Sequence, residues 1–152
     1  MTGVVAYLSV FCQRTLAVYQ PVKLAGLGAS LAINAHRSLK LLEFGIFTRG
    51  DDLLRGLSHE LRFIAGNNIL EELVLSRGVS RRRDIATVCW SAFDSLLTES
   101  GAFPILHRVS VKIWWYCRDL DPDRLVESMF PRLVESKAVE FNLCLEPAGP
   151  PT

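Results

Sequence analysis

A six-residue pattern, apolar-x-x-apolar-x-apolar, recurs along this chain at nearly even spacing, and it constrains the fold more than any other feature. It occurs at Leu39, Leu42 and Phe44, at Leu70, Leu73 and Leu75, at Leu106, Val109 and Val111, and at Ala138, Phe141 and Leu143. A weaker copy occupies Val5, Leu8 and Val10. The copies start at positions 5, 39, 70, 106 and 138, separated by 34, 31, 36 and 32 residues. A period of 20–50 residues implies one supersecondary unit repeated side by side, each burying its apolar face against its neighbours.

Within each copy the later apolar positions alternate, as in Val109, Val111, Ile113 and Phe141, Leu143, Leu145, which is the period of a strand. Between copies the period lengthens to that of a helix. Ile85, Val88, Cys89, Ala92, Phe93 and Leu96 share one helical face. Leu54, Leu57, Leu61 and Ile64 form another, opened by Asp51 and Asp52 and closed near Gly66 and Asn67. Leu24, Leu27 and Leu31 suggest a further helix, weakened by Gly26 and Gly28. A shorter face at Leu125, Val126, Met129 and Phe130 has Asp121 as N-cap and Pro122 at its first position, and ends or kinks near Phe130 because of Pro131.

Strands alternating with helices at this period imply parallel strands joined by crossovers. Two architectures satisfy that: a doubly wound sheet covered on both faces, or a solenoid covered on one. Parallel strands buried on both faces are almost continuously apolar. Here Glu43, Glu72, Arg108, Ser110, Lys112, Glu140 and Asn142 stand between the apolar positions, so one face is wet. The reading favours an α/β solenoid of about four to five irregular strand–helix units, a single domain over residues 1–146 followed by a disordered Pro-rich tail over 147–152.

The same residues resemble leucine-rich repeats, whose strand motif is L-x-x-L-x-L. Residues 39–76 and 91–145, with the phrases N-x-L-E-E-L, L-T-E-S-G-x-F-P-x-L and F-P-R-L, are similar to the C-terminal repeats of fungal F-box/leucine-rich-repeat proteins. The resemblance covers about residues 38–145. It implies a recognition surface, in that family often joined to an F-box that docks a ubiquitin-ligase scaffold. This chain departs from the family in showing no F-box-like helical module ahead of the repeats. It also lacks the Asn that normally follows the strand, where Phe47, Gly78, Trp114 and Glu146 stand. A truncated or degenerate member is the reading these departures suggest.

In-register strands would align Leu41, Glu72, Arg108 and Glu140 in one row, Glu43, Val74, Ser110 and Asn142 in the next, and Gly45, Ser76, Lys112 and Cys144 in a third. Neighbouring strands lie about 4.8 Å apart, which sets Arg108 between two glutamates. The rows read equally well as a concave platform for a protein partner or as a solvated face with lateral charge pairs of about 0.2–1 kcal/mol each. Trp114 and Trp115 follow the strand, one on each face by alternation, and Trp115 is taken as the partner anchor. Partner-binding candidates are therefore Glu43, Glu72, Arg108, Ser110, Lys112, Trp115, Glu140 and Asn142.

Other chemistries find little support. The net charge of +1 gives no nucleic-acid footprint, and Arg81–Arg82–Arg83 with Arg77 reads as a solvated linker rather than a basic patch. No phosphate-binding, nucleophile-elbow or metal-ligand spacing occurs, and no catalytic residue, metal or cofactor is expected. Gly26-Leu27-Gly28 reads as close helix packing. His107 and Cys144 would sit on adjacent strands but in different rows. Glu72 and Glu140 would lie about 10 Å apart across two strands, too far for a retaining glycosidase pair. Cys12, Cys89, Cys117 and Cys144 lack paired spacing and suit reduced, mostly buried thiols of a cytoplasmic or nuclear protein, the alternative being two disulfides in a secreted one. Residues 1–11 are apolar but have no leading cation and fall short of the roughly 20 residues of a membrane span, so a buried strand is expected there. Self-association through open repeat ends is a further expectation, as is a fragment without independent function. The doubly wound alternative would carry an unidentified enzymatic activity at the carboxyl ends of its strands.

Overall fold

The computed structural model describes residues 15–19, 26–35, 37–46, 52–79, 87–115 and 128–147. Strands β1 (Thr15–Tyr19), β2 (Leu41–Ile46), β3 (Glu72–Val79), β4 (Arg108–Trp115) and β5 (Glu140–Pro147) form one sheet. Helices α1 (Leu27–Ala35), α2 (Asp52–Arg62), α3 (Thr87–Leu97) and α4 (Pro131–Glu135) lie between them in sequence. All neighbouring strands are parallel, and the spatial order is β1-β2-β3-β4-β5. Chain order and spatial order coincide. A doubly wound sheet needs a reversal of strand order where its crossovers change sides, and none occurs among the described strands.

The alternate residues Leu42, Phe44, Leu73, Leu75, Val109, Val111 and Ile113 are buried together with Leu31 of α1, Leu57 and Leu61 of α2, Trp90, Phe93 and Leu96 of α3 and Leu133 of α4. The described helices therefore cover one face of the sheet. Each fully buried Leu, Val or Phe contributes about 1.5–3 kcal/mol, so this face supplies the apolar driving force for the fold.

Three of the expected helices are found close to the predicted apolar faces. The helix of the 121–130 region departs from expectation in part. Ser128 and Met129 are helical, Phe130 breaks the helix at φ −132° and ψ 48°, and Pro131 opens a new short one. Proline suits that first position because its missing N–H has no acceptor there in any case. The Asp121 cap lies outside the described residues, as does the strand expected at Val5–Val10. The strand that pairs with β2 is built from Thr15–Tyr19 instead, so the first unit is shorter than the rest: aligned residues Thr15, Leu41, Glu72, Arg108 and Glu140 are 26, 31, 36 and 32 apart. Pro147 is in β5, opposite Trp115, where an edge strand tolerates a residue without an N–H.

Polar groups seal the joints between units. The Asn68 amide donates to the carbonyls of Ile64 (2.7 Å) and Ala102 (2.9 Å), and its oxygen accepts the N–H of Leu70 at 3.3 Å. Gly66 stands at φ +80°, ends the turn after α2 as expected, and donates its N–H to Ala102 at 2.7 Å. Gly28 lets α1 approach α2 closely: a Cβ there would overlap the backbone and side chain of Glu60, whose carboxylate accepts the Gly28 N–H at 2.6 Å. The Gly-x-Gly segment is thus a packing feature. Arg77, read in the sequence as part of a solvated cluster, is fully buried, with its guanidinium 5.5 Å from the centre of the Trp90 ring. Its position in β3 falls in the alternation of Leu73 and Leu75, which fixes it on the helix side. Arg81–Arg83 lie outside the described residues.

Asp94 of α3 joins two units. Its carboxylate accepts the N–H groups of Arg132 (3.0 Å) and Leu133 (2.8 Å), capping α4 from a neighbouring helix. Burial pushes its pKa up, against the pull of those two N–H donors and of the Arg132 charge. Replacing Asp94 with Ala leaves two donors of a helix end unsatisfied. The expected cost is about 1–3 kcal/mol, measured as the change in urea unfolding free energy. Loss of less than a few tenths would show that α4 does not depend on this cap.

Candidate functional site

The sheet face turned away from the helices carries the residues proposed as a platform. All three expected rows are present in register: Leu41–Glu72–Arg108–Glu140, Glu43–Val74–Ser110–Asn142 and Gly45–Ser76–Lys112–Cys144. Strand β1 extends them with Thr15, Ala17 and Tyr19, and a fourth row joins Gly78, Trp114 and Glu146. Asn142 is exposed, and the side chains of Glu72 and Arg108 retain 30% and 43% of their accessibility, as expected of an uncovered face. Glu43 and Ser110 are half-buried, and Gly45 and Ser76 are buried.

Two clusters organise this surface. In the first row Arg108 sits between acids on adjacent strands, with Nη1 3.2 Å from Glu72 Oε1 and Nε 3.4 Å from Glu140 Oε2. Asn142 donates to the other oxygen of Glu140 at 3.2 Å. That amide first, and the Arg108 guanidinium next, hold the Glu140 carboxyl below the usual carboxylate range. The second cluster lies toward the carboxyl ends of β4 and β5. Lys112 Nζ is 3.2 Å from Glu146 Oε1, and Trp114 Nε1 donates to Glu146 Oε2 at 3.0 Å. The Lys112 ammonium also lies 5.0 Å from the centre of the Trp114 ring, within cation–π range. The bonds from Lys112 and Trp114 pull the Glu146 carboxyl down.

The described tryptophan on this face is Trp114. Trp115, the anchor expected from the sequence, pairs in register with Val79 and Pro147. Glu146 is the other participant that sequence reasoning passed over. It lies two residues beyond Cys144 on the same strand face, so extending the alternation would have found it.

The rows are acidic on balance. Among the described residues of β2–β5 this face presents Glu43, Glu72, Glu140 and Glu146 against Arg108 and Lys112. Cys144 is a free, exposed thiol 3.6 Å from Glu146; the side chains of the other three cysteines lie outside the described residues. His107 precedes β4, and its row is well separated from that of Cys144, so they form no nucleophile–base pair. Glu72 and Glu140 share Arg108 rather than an open cleft. Among the described residues, no helix is long and apolar enough to cross a membrane.

No protein-family model matches the chain. Searches among curated proteins and among solved structures likewise return no significant match.

The depressed carboxyls define an acid response. A carboxyl whose folded pKa lies below its unfolded value contributes stability above the unfolded pKa, and that contribution is lost as pH falls through the folded one. Carbon-detected NMR titration should place Glu140 and Glu146 below the ordinary glutamate range. Asn142→Ala should move Glu140 back toward the ordinary range while leaving Glu146 in place. A Glu140 midpoint unmoved by that substitution would show that the amide does not set it.

Proposed function

We propose that this chain is a non-catalytic recognition module, a leucine-rich-repeat-like solenoid whose open sheet face binds a protein partner. The carrying observation is the division of labour between the two sheet faces. One holds the core and all described helices; the other presents aligned rows of charged and polar side chains with a half-buried tryptophan among them. Exposed lateral charge pairs add little stability, so a fold that needed only a solvated face would gain little from this arrangement. Rigid parallel strands hold such groups at fixed spacing, which suits recognition.

The resemblance to F-box/leucine-rich-repeat proteins extends the proposal to the substrate-binding part of a ubiquitin-ligase adaptor, in a cytoplasmic or nuclear setting. The progressive strand order and one-sided core support the repeat architecture over the doubly wound alternative. The partner contacts proposed are Glu43, Glu72, Arg108, Ser110, Lys112, Trp115, Glu140 and Asn142, joined by Trp114 on the open face.

Affinity capture of the tagged chain from its native cell extract, followed by mass spectrometry, tests both levels. The expected result is a discrete partner lost from the Arg108→Ala and Trp114→Ala variants, whose melting temperatures stay within about 4 °C of the parent. Recovery of ligase scaffold subunits with that partner supports the adaptor role, and their absence removes it. A partner retained by both variants, or turnover of a small substrate by the purified chain, overturns the recognition reading.

A further inference from the structure

Strand β5 is the last in the sheet order, and no described element pairs with its outer edge. The Glu140 N–H turns inward to the carbonyl of His107 at 2.8 Å. By strand alternation, the N–H and C=O groups of Phe141, Leu143 and Leu145 therefore turn outward, ready to pair with another strand. The side chains of these three pack partly against the core and stay partly exposed. On the opposite face the same strand carries Glu140 and Glu146. Edge strands are commonly protected by lysine, by a bulge or by brevity. This one runs eight residues, Glu140–Pro147, and contains no lysine or arginine.

Charge selects the occupant. Arg108 is shared between Glu72 and Glu140, so its single positive charge faces two carboxylates, while Lys112 pairs with Glu146 from the neighbouring strand and β5 itself carries no basic residue. A second copy of the chain, added antiparallel about Leu143, would set Glu140 against Glu146 twice over, and like charges directly opposite are destabilising. A strand with basic residues in those positions would meet each acid from its open side. Apolar residues at its alternate positions would extend the layer of Phe141, Leu143 and Leu145.

Resting on the recognition reading above, we propose that the outer edge of β5 takes, as the next strand of the sheet, an extended segment of another protein that alternates apolar and basic residues. Main-chain bonds to Phe141, Leu143 and Leu145 hold it, and Glu140 and Glu146 select it.

The probe is a fluorescent octapeptide of alternating lysine and valine, with a glutamate–valine peptide as its counterpart. Anisotropy should show saturable binding of the lysine peptide that weakens as ionic strength rises, and no binding of the glutamate peptide. In the double variant Glu140→Lys/Glu146→Lys the preference should reverse, the lysine peptide losing about tenfold in affinity and the glutamate peptide gaining saturable binding. Leu143→Pro, which removes one outward N–H, should abolish both. Equal binding of the two peptides, no binding of either, or a preference that survives charge reversal overturns the proposal. A dimer of the free chain that Leu143→Pro dissociates also overturns it, since the edge would then belong to a second copy. The charge-reversal arm stands if Leu143→Pro fails to fold. If the edge variants change nothing while Arg108→Ala and Trp114→Ala lose the captured partner, the edge proposal falls and the open-face reading stands.

Discussion

Register is the constraint on which the rest of this structure depends. In a strand the two sheet faces alternate residue by residue, so a slip of one position in any strand would turn its leucines and valines to solvent and its charges into the core. Four consecutive parallel pairings hold the same phase, and the backbone bonds at the strand entrances begin it. The N–H groups of Glu71 and Glu72 meet Lys40 O, those of His107 and Arg108 meet Glu71 O, and that of Glu140 meets His107 O. Each unit is thereby seated on the one before it prior to the first paired strand residue. The core on one side and the charged rows on the other are both consequences of that single alignment.

Stacking units also requires polar groups to be satisfied where helices begin and end, and two buried polar side chains, Asn68 and Asp94, belong to these joints. Asn68 ties the end of the α2 turn to the corresponding turn after α3. Asp94 supplies the start of α4 with the acceptor that its own N-cap residue, Phe130, cannot provide. Arg77 lies under α3 against Trp90, its charge kept within the core layer. Burying such groups without partners would cost more than their packing returns, so their placement narrows the ways in which one unit fits the next.

These facts separate what was legible in the sequence from what was not. The strand–helix alternation, the three rows and the wet face were legible because a period of two is local: the phase of Leu42 and Phe44, or of Val109 and Val111, can be read without knowing any neighbour. The same phase, extended from Ile113, places Trp114 on the open face. Thr15–Tyr19 carried no comparable signal, because five residues are too short to show the template. The roles of Asn68 and Asp94 had no local signal, because partners of each lie on other units, Ala102 for Asn68 and Arg132 and Leu133 for Asp94. The burial of Arg77 follows the same alternation as Leu73 and Leu75, which its charge obscured in the sequence.

A comparison of magnitudes links this architecture to its proposed use. The helix-side residues are almost wholly removed from water, and each large apolar side chain among them contributes on the order of 1.5–3 kcal/mol. The open-face pairs are formed by side chains that keep roughly a third to more than half of their accessibility, where water and salt screen the attraction. Stability is thus concentrated on one side of the sheet, and the residues on the other side can vary at little cost to folding. A surface that is held rigid by a core it does not belong to can acquire a partner without endangering the fold. The acid excess along β5 and the backbone edge that no described element pairs are the two features of that surface most able to distinguish one partner from another.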